Sequence, residues 1–419
     1  MMGPSETNSA VATAHAVLDD SPPHGLSTTT KTFLSLVVAH MMIDCFGGIW
    51  PIFKKLAGLN LEWAGLIFFA TSLIAMAMQP LFGLWADRGQ RRLLIIIGAV
   101  MVCTAMFLGT VGRYPSFALD RTGYLVMALI LLTVKMGQAM FHPAGASLAG
   151  GLSERRRSTF VSVFIAGGML GFAASQGLFS LVYTTTNGHS ELLLVVGMLV
   201  VAGVVVWCRP LEERDVTHDN IWKTLMALRP IWVQLLLLYL LLSLLSGLHA
   251  GLIFLLPEFL EARDYPPWMI YGGGIALITS GAVMVIVPAG YLADRVGRRK
   301  LMLLFLTVSV AMYFTMVLLP TLPLPGFMVL CLLTGGGLGA TSPLGIALGQ
   351  SLSPRHQSLI SGVLMGLAWA LGSVSTWITG HLAMQPSIGV IGALAWLGVA
   401  GIAAIIFMIA LTGTRAQPY

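Results

Sequence analysis

Two charges sit inside long apolar runs, where charge is costly. Asp44 lies about halfway along a run near residues 32–53, and Lys135 lies in the middle of another near 124–150. An ionisable side chain at membrane depth costs roughly 2.5–3.5 kcal/mol, so it normally faces a bundle interior and is a functional candidate by default. His40 precedes Asp44 by four residues, and positions four apart stack on one helix face. Burial raises the pKa of a carboxylate and a nearby cation lowers it. An Asp balanced between those effects can load and release a proton; the competing reading is a fixed hydrogen bond that braces the helix. Lys135 is followed by Gln138 and His142 at i+3 and i+7, which gives that helix one polar stripe. Its ammonium could pair with Asp44 until a phosphonate or carboxylate competes for it, or the two could form a permanent neutralising pair. His142 precedes Pro143, whose kink frees a backbone carbonyl; the imidazole either bonds that carbonyl or meets substrate. Tyr239, Ser243, Ser246 and His249 form a stripe in the second half of the chain, where His249 is either a substrate contact or simply a hydrogen-bonded histidine. Proton coupling is therefore expected at Asp44 and His40, and substrate binding at Lys135, Gln138, His142, His249 and Tyr239.

Other chemistries fit less well. Met41, Met42, Met136 and Met140 lie near His142 in sequence or on the facing helix, and thioethers with imidazole suit copper(I). Methionine in so apolar a chain is mostly core filler, however. No metal or other cofactor is expected. A membrane enzyme would need a nucleophile with its base, or clustered carboxylates, at one membrane face, and the sequence offers neither. Direct use of ATP would call for a Gly-x-x-x-x-Gly-Lys-Ser/Thr loop, which is also missing from the sequence.

The elements that must hold these groups are membrane-spanning helices. The 419 residues are 57% hydrophobic and 10% charged, with a mean hydropathy of +0.86. Soluble domains carry about 25% charged residues, so a water-soluble globule is excluded. About 20 apolar residues span a bilayer as a helix. Apolar runs fall near 32–53, 63–85, 93–112, 124–150, 158–183 and 191–208, then near 231–257, 269–292, 301–319, 326–350, 359–381 and 388–412. The fold class is an all-α membrane protein of twelve helices in two pseudo-symmetric halves, 31–208 and 231–412, joined by a polar linker 209–230. Residues 1–30 and 413–419 read as polar tails. The net charge of +6 would suggest nucleic acid in a soluble protein. Here the basic residues instead crowd alternate loops, among them Arg91, Arg92, Arg155, Arg156, Arg157, Arg299 and Lys300, while Lys54, Lys55, Arg113, Arg121 and Arg263 fall on the other side. Positive charge favours the cytoplasmic face, so both termini are expected inside. The four cysteines are scattered singly in apolar segments and read as packing residues, as do Gly167, Gly168 and Gly171 in the fifth helix.

The halves repeat each other. GLWADRGQRR at 83–92 returns as GYLADRVGRR at 290–299, and Pro143, Gly145, Leu148, Ser153 and Arg155 return as Pro343, Gly345, Leu348, Ser353 and Arg355. Parallel halves of six helices are a build of secondary transporters, with the substrate site between them near the midplane. The Asp-Arg loops, with Asp87, Arg88, Asp294, Arg295 and Arg298, are placed to cap a helix or pair across the bundle and so to close the cytoplasmic side as a gate.

The Gly-x-x-x-Asp-Arg-x-Gly-Arg-Arg pattern at 290–299 resembles the signature loop of the major facilitator superfamily. HMMID at 40–44 and FHPAGAS at 141–147 resemble the first and fourth helices of fosmidomycin-resistance-type efflux carriers; Ser175-Gln176 stands where such carriers tend to have Gly-Pro. The resemblance implies helices one, four, seven and ten around a cavity, alternating access, and proton-coupled export of a small organic compound or drug, anionic ones included, as in antibiotic resistance. The alternative is an importer or uniporter of a small solute, including a metal carrier. Expected partners are the substrate, protons and lipid, with no nucleic acid, and the chain is expected to act as a monomer in an inner (plasma) membrane.

Overall fold

The computed structural model describes residues 27–152, 157–208, 228–320, 322–352, 360 and 363–413. Every regular element among them is helical. Twelve helices are long and apolar enough to cross a bilayer. The first six are α1 Thr28–Leu56, α2 Leu61–Gly83, α3 Arg91–Gly112, α4 Arg121–Gly151, α5 Val163–Thr185 and α6 Ser190–Trp207. The second six are α7 Arg229–Ala262, α8 Met269–Ala293, α9 Arg298–Leu318, α10 Leu324–Leu352, α11 Val363–Met384 and α12 Gly389–Gly413. Each expected apolar run falls on one of them. The expected linker 209–230 lies mostly outside the described residues, and its last residues already belong to α7.

Polar residues set the helix ends. The Asn60 side chain accepts from the Trp63 N–H at 3.1 Å and starts α2; that of Asp120 accepts from the Thr122 N–H at 3.2 Å and starts α4. Backbone N–H groups of Thr122 and Arg121 hold the Asp120 carboxyl below the usual carboxylate range, as an N-terminal cap should. Outward-facing positions are apolar, with Leu199, Val206, Val233, Trp396 and Ile406 all exposed, which suits helices bathed in lipid rather than water.

The repeat in the sequence is a repeat in packing. α2 and α3 both lie against α4, just as α8 and α9 both lie against α10. The two Asp-Arg loops differ in one respect. Both turn on a glycine at positive φ, 88° at Gly89 and 97° at Gly297, a conformation that favours glycine. In the first copy that glycine comes one position earlier, and Ala86–Gln90 forms a single π-helical turn there.

The ion pairs that join the halves lie, among the described residues, at the end of the bundle away from the chain termini. Lys54 of α1 is completely buried and lies 2.5 Å from Glu258 of α7, with its ammonium 4.6 Å from the Phe254 ring centroid. Beside it Lys55 pairs with Glu261, and Glu62 of α2 meets His381 of α11 at 3.1 Å. Hydrogen bonds reinforce the seam: the Ser180 hydroxyl of α5 donates to the Tyr271 carbonyl of α8 at 2.9 Å, and the Thr376 hydroxyl of α11 donates to the Gly65 carbonyl of α2 at 3.1 Å. That end of the molecule is sealed.

Candidate functional site

The central polar cluster is built by three helices of the first half. On α1, His40 and Asp44 stand one turn apart as expected, with His40 Nε2 3.3 Å from Asp44 Oδ2. On α4, His142 reaches across so that its Nε2 lies 3.1 Å from Asp44 Oδ1. On α5, the Phe164 carbonyl lies 2.7 Å from His40 Nδ1, and the Phe164 ring stacks on the imidazole with centroids 4.1 Å apart. A carbonyl can only accept, so His40 Nδ1 carries a hydrogen. With that tautomer fixed, Nε2 and Asp44 Oδ2 would turn lone pairs on each other unless one proton lies between them. That contact is a place where a proton can be shared. Close approach of α5 makes this geometry possible: a Cβ at Gly168 would lie 2.5 Å from both Asp44 Oδ2 and His40 Nε2.

Lys135 does not meet Asp44. Its ammonium donates to Gln138 Oε1 at 3.2 Å and sits 4.5 Å from the centroid of the Phe68 ring on α2. The expected Asp44–Lys135 pair is replaced by Asp44–His142, and the partner of the His142 imidazole is that carboxylate rather than the carbonyl freed at Pro143. Both corrections have one cause. Lys135 and His142 share a face of α4, but seven residues separate them by about 10.5 Å along the axis, and His142 is the one level with Asp44. Lys135 and His142 thus occupy successive levels of one face. Gln138, between them in sequence, is buried against α1 so closely that a Cβ at Gly47 would lie 2.2 Å from its amide nitrogen.

The second half contributes a less charged wall. Tyr239 of α7 donates through its hydroxyl to the Leu367 carbonyl of α11 at 3.4 Å, and the His249 ring meets Trp369 of α11 edge-on with centroids 6.1 Å apart. Ser243 and Thr341 spend their hydroxyls on carbonyls of their own helices, at 2.8 Å and 2.7 Å. None of the bonds formed by Tyr239 or His249 links them to the Asp44 cluster, so the sites expected in the two halves are not joined directly. Three ligand atoms of His40, Asp44 and His142 lie within 4.8 Å of one another, near enough for a metal ion. Hydrogen-bond spacings satisfy all three without one. The thioethers that would favour copper do not converge, because Met41 is exposed while Met136 and Met140 pack against the apolar core.

Of the expected gate, the side chains of Asp87, Arg88 and Asp294 lie outside the described residues. Arg295 stacks on Tyr291 of its own helical segment, and Arg298 donates to the Ala347 carbonyl of α10 at 3.4 Å, within its own half. A cavity of about 470 Å³ opens there, lined by Arg298, Arg299, Lys300, Ala293 and Leu348 among others. Nothing in the sequence alone assigns Phe68, Phe164 or the Lys54–Glu258 pair to a site.

Residues 32–375 match the family described as Major Facilitator Superfamily. The chain belongs to that superfamily. It is a transporter by family and a multi-pass membrane protein. Among related sequences, the multidrug efflux pump Tap of Mycolicibacterium fortuitum is 24% identical over 348 residues, covering 76% of this chain and 80% of Tap. The uncharacterized MFS-type transporter YfnC of Bacillus subtilis (strain 168) is 25% identical over 160 residues, and the match spans 37% of each protein. Among solved structures, a point mutant of the nucleoside transporter NupG superposes with a TM-score of 0.70 at 14% identity, over 91% of this chain and 99% of that one. A bacterial homologue of the human lysosomal transporter Spinster, inward-facing and occupied, gives the same TM-score of 0.70 at 15% identity, over 91% of this chain and 96% of that one. These likenesses establish the superfamily fold of two six-helix halves.

Proposed function

We propose that this transporter exports a small organic compound in exchange for protons, with Asp44 and His40 as the proton-coupling pair and Lys135 as the anchor for an acidic group on the substrate. The observation that carries the reading is the fixed tautomer of His40, which makes the His40–Asp44 contact at 3.3 Å a place where a proton can be shared. Exchange requires that proton and substrate compete. A substrate hydroxyl or amide N–H donated to Asp44 Oδ2 takes the edge that faces His40, so that substrate and the shared proton exclude each other there. The acidic group of the same substrate replaces Gln138 on the Lys135 ammonium, a charge-assisted contact in a water-poor site. His142 and Gln138 lie between and beside these anchors, and Tyr239, His249 and Trp369 supply the opposite wall.

Positive charge on alternate loops supports cytoplasmic termini in an inner membrane, which makes the ion-paired end the external one. Asp87, Arg88, Asp294, Arg295 and Arg298 are then the cytoplasmic gate. The likeness to the efflux pump Tap supports export, and HMMID and FHPAGAS support a fosmidomycin-resistance-type carrier. NupG and the Spinster homologue are named as transporters of nucleosides and of a lysosomal kind, so an importer or uniporter remains the competing reading.

Reconstituted vesicles with an entrapped pH-sensing dye test this. A pH gradient is imposed and a panel of small phosphonates, drugs and sugars is added. A compound-dependent proton flux in the wild type, lost in Asp44→Asn, is expected, and Lys135→Ala should weaken only the acidic compounds. Transport of a compound with no proton movement would leave a uniporter.

A further inference from the structure

Solvent exposure across the cluster is graded. The His142 side chain is 30% exposed, Asp44 19% and His40 8%. The buried end is His40, covered by α5 and by α4. α5 covers it with the Phe164 ring stacked on His40 and with Gly168 pressed against the His40–Asp44 contact, and Phe141 of α4 lies 5.7 Å from the His40 ring centroid. The most exposed of the three is His142, on the far side of the carboxylate. A proton bound at His40 therefore leaves by way of Asp44, and His142, the more exposed group on the other carboxylate oxygen, is the better-placed outlet.

Resting on the proton-coupled reading above, we propose that His142 is the proton port of the transporter: it relays the coupling proton between cavity water and the His40–Asp44 pair. The steps balance. Cavity water gives a proton to His142 Nδ1. His142 Nε2–H passes its proton to Asp44 Oδ1, which returns the imidazole to neutrality. From the emptied pair, an ionised Asp44 beside a neutral His40, rotation of the carboxyl about Cβ–Cγ carries that same hydrogen round to face His40 Nε2, which takes it while Nδ1–H stays on the Phe164 carbonyl throughout. The net result is one proton stored on the His40–Asp44 pair, and reversal empties it. Among the described residues, the other ionisable groups in electrostatic range of Asp44 are Lys135 of α4, which is not bonded to it, and the Cys45 thiol of α1; α5 presents Phe164 and Gly168, neither of which titrates. His142 thus serves as a shuttle, and Asp44 serves as the bridge between two imidazoles that lie 5.1 Å apart.

The test uses the full chain, labelled with ¹⁵N in histidine only, with proton exchange at the His40 ring read by NMR after assignment through single His→Gln variants. In His142→Gln, exchange of the His40 Nε2 proton with water should slow by roughly a hundredfold, the lower range for a lost acid–base group. Added imidazole should restore it in His142→Gly. His189→Gln, just before α6 and outside the site, should leave it unchanged. Unchanged His40 exchange in His142→Gln would overturn the relay, because another route would then reach His40. Carbethoxylation of the unmutated protein by diethyl pyrocarbonate needs no folded variant: His142 should react before His40 and slow its exchange, and prior reaction at His40 would equally overturn the proposal. The outcomes separate from the parent reading. If Asp44→Asn still moves protons with substrate, proton coupling at this site fails; if only Asp44→Asn matters and His142→Gln does not, the relay alone fails.

Discussion

At the residue scale, the centre of this protein depends on one donor–acceptor count. A histidine whose Nδ1–H is committed to the Phe164 carbonyl cannot share an edge with a carboxylate unless a proton stands between them. His40 and Asp44 were legible as a pair because four residues place two side chains on one helix face. Phe164 and Gly168 were not legible as partners of that pair. An apolar ring and a glycine in the fifth helix carry no chemical signal, and only packing shows that one supplies a carbonyl and the other supplies room. Gly168→Ala tests the point. Its new Cβ would lie 2.5 Å from both Asp44 Oδ2 and His40 Nε2, so the pair must part or α5 must retreat. Overpacking of this kind costs about 1–3 kcal/mol. The expected outcome is a folded protein in which substrate exchange persists and the pH dependence of gradient-driven transport flattens. A wild-type pH profile in Gly168→Ala would show that the His40–Asp44 spacing does not set the coupling.

At the element scale, what the sequence concealed was axial register. The stripe of Lys135, Gln138 and His142 on α4 follows from helical periodicity. Which of its members stands level with Asp44 depends on how far α4 slides along α1, and one residue of slide is about 1.5 Å. Lys135 attracted attention as the stronger charge, yet His142 is the residue at the right height. The same limit hid Lys54 and Glu258, which appear in sequence as charges near helix ends and meet only when α1 and α7 are brought together. With Lys54 fully buried, its charge is compensated mainly by Glu258 at 2.5 Å. Removing one partner of a buried pair typically costs about 3–5 kcal/mol, because the remaining charge is left without compensation. Opening that end to water relieves the penalty, so Glu258→Gln should populate the state open there. A cysteine placed at Ser180, beside the same seam, should then react faster with a membrane-impermeant maleimide than it does in the wild-type background. Equal rates would show that the ion pair does not hold the seam.

At the scale of the whole molecule, length, hydropathy and the repeated Asp-Arg loops were enough to give twelve helices in two parallel halves, and the helices and their packing bear this out. Repetition was legible because charged loops fall at equivalent places in each half, where lipid-facing composition cannot imitate them. The division of labour between the halves is visible only in three dimensions: the ionisable cluster belongs to α1, α4 and α5, while α7 and α11 offer a tyrosine, a histidine and a tryptophan. Such asymmetry suits a carrier in which one half binds protons and charge and the other moves against it. In the exchange proposed above, substrate and proton compete for Asp44. The most direct measurement is made in weakly buffered detergent solution, adding to the purified protein the compound that moves protons in the vesicle panel and following pH with a soluble dye. The account predicts that the wild type releases a proton for each molecule bound and that Asp44→Asn binds without release. Binding to the wild type with no release, or equal release from Asp44→Asn, would contradict it.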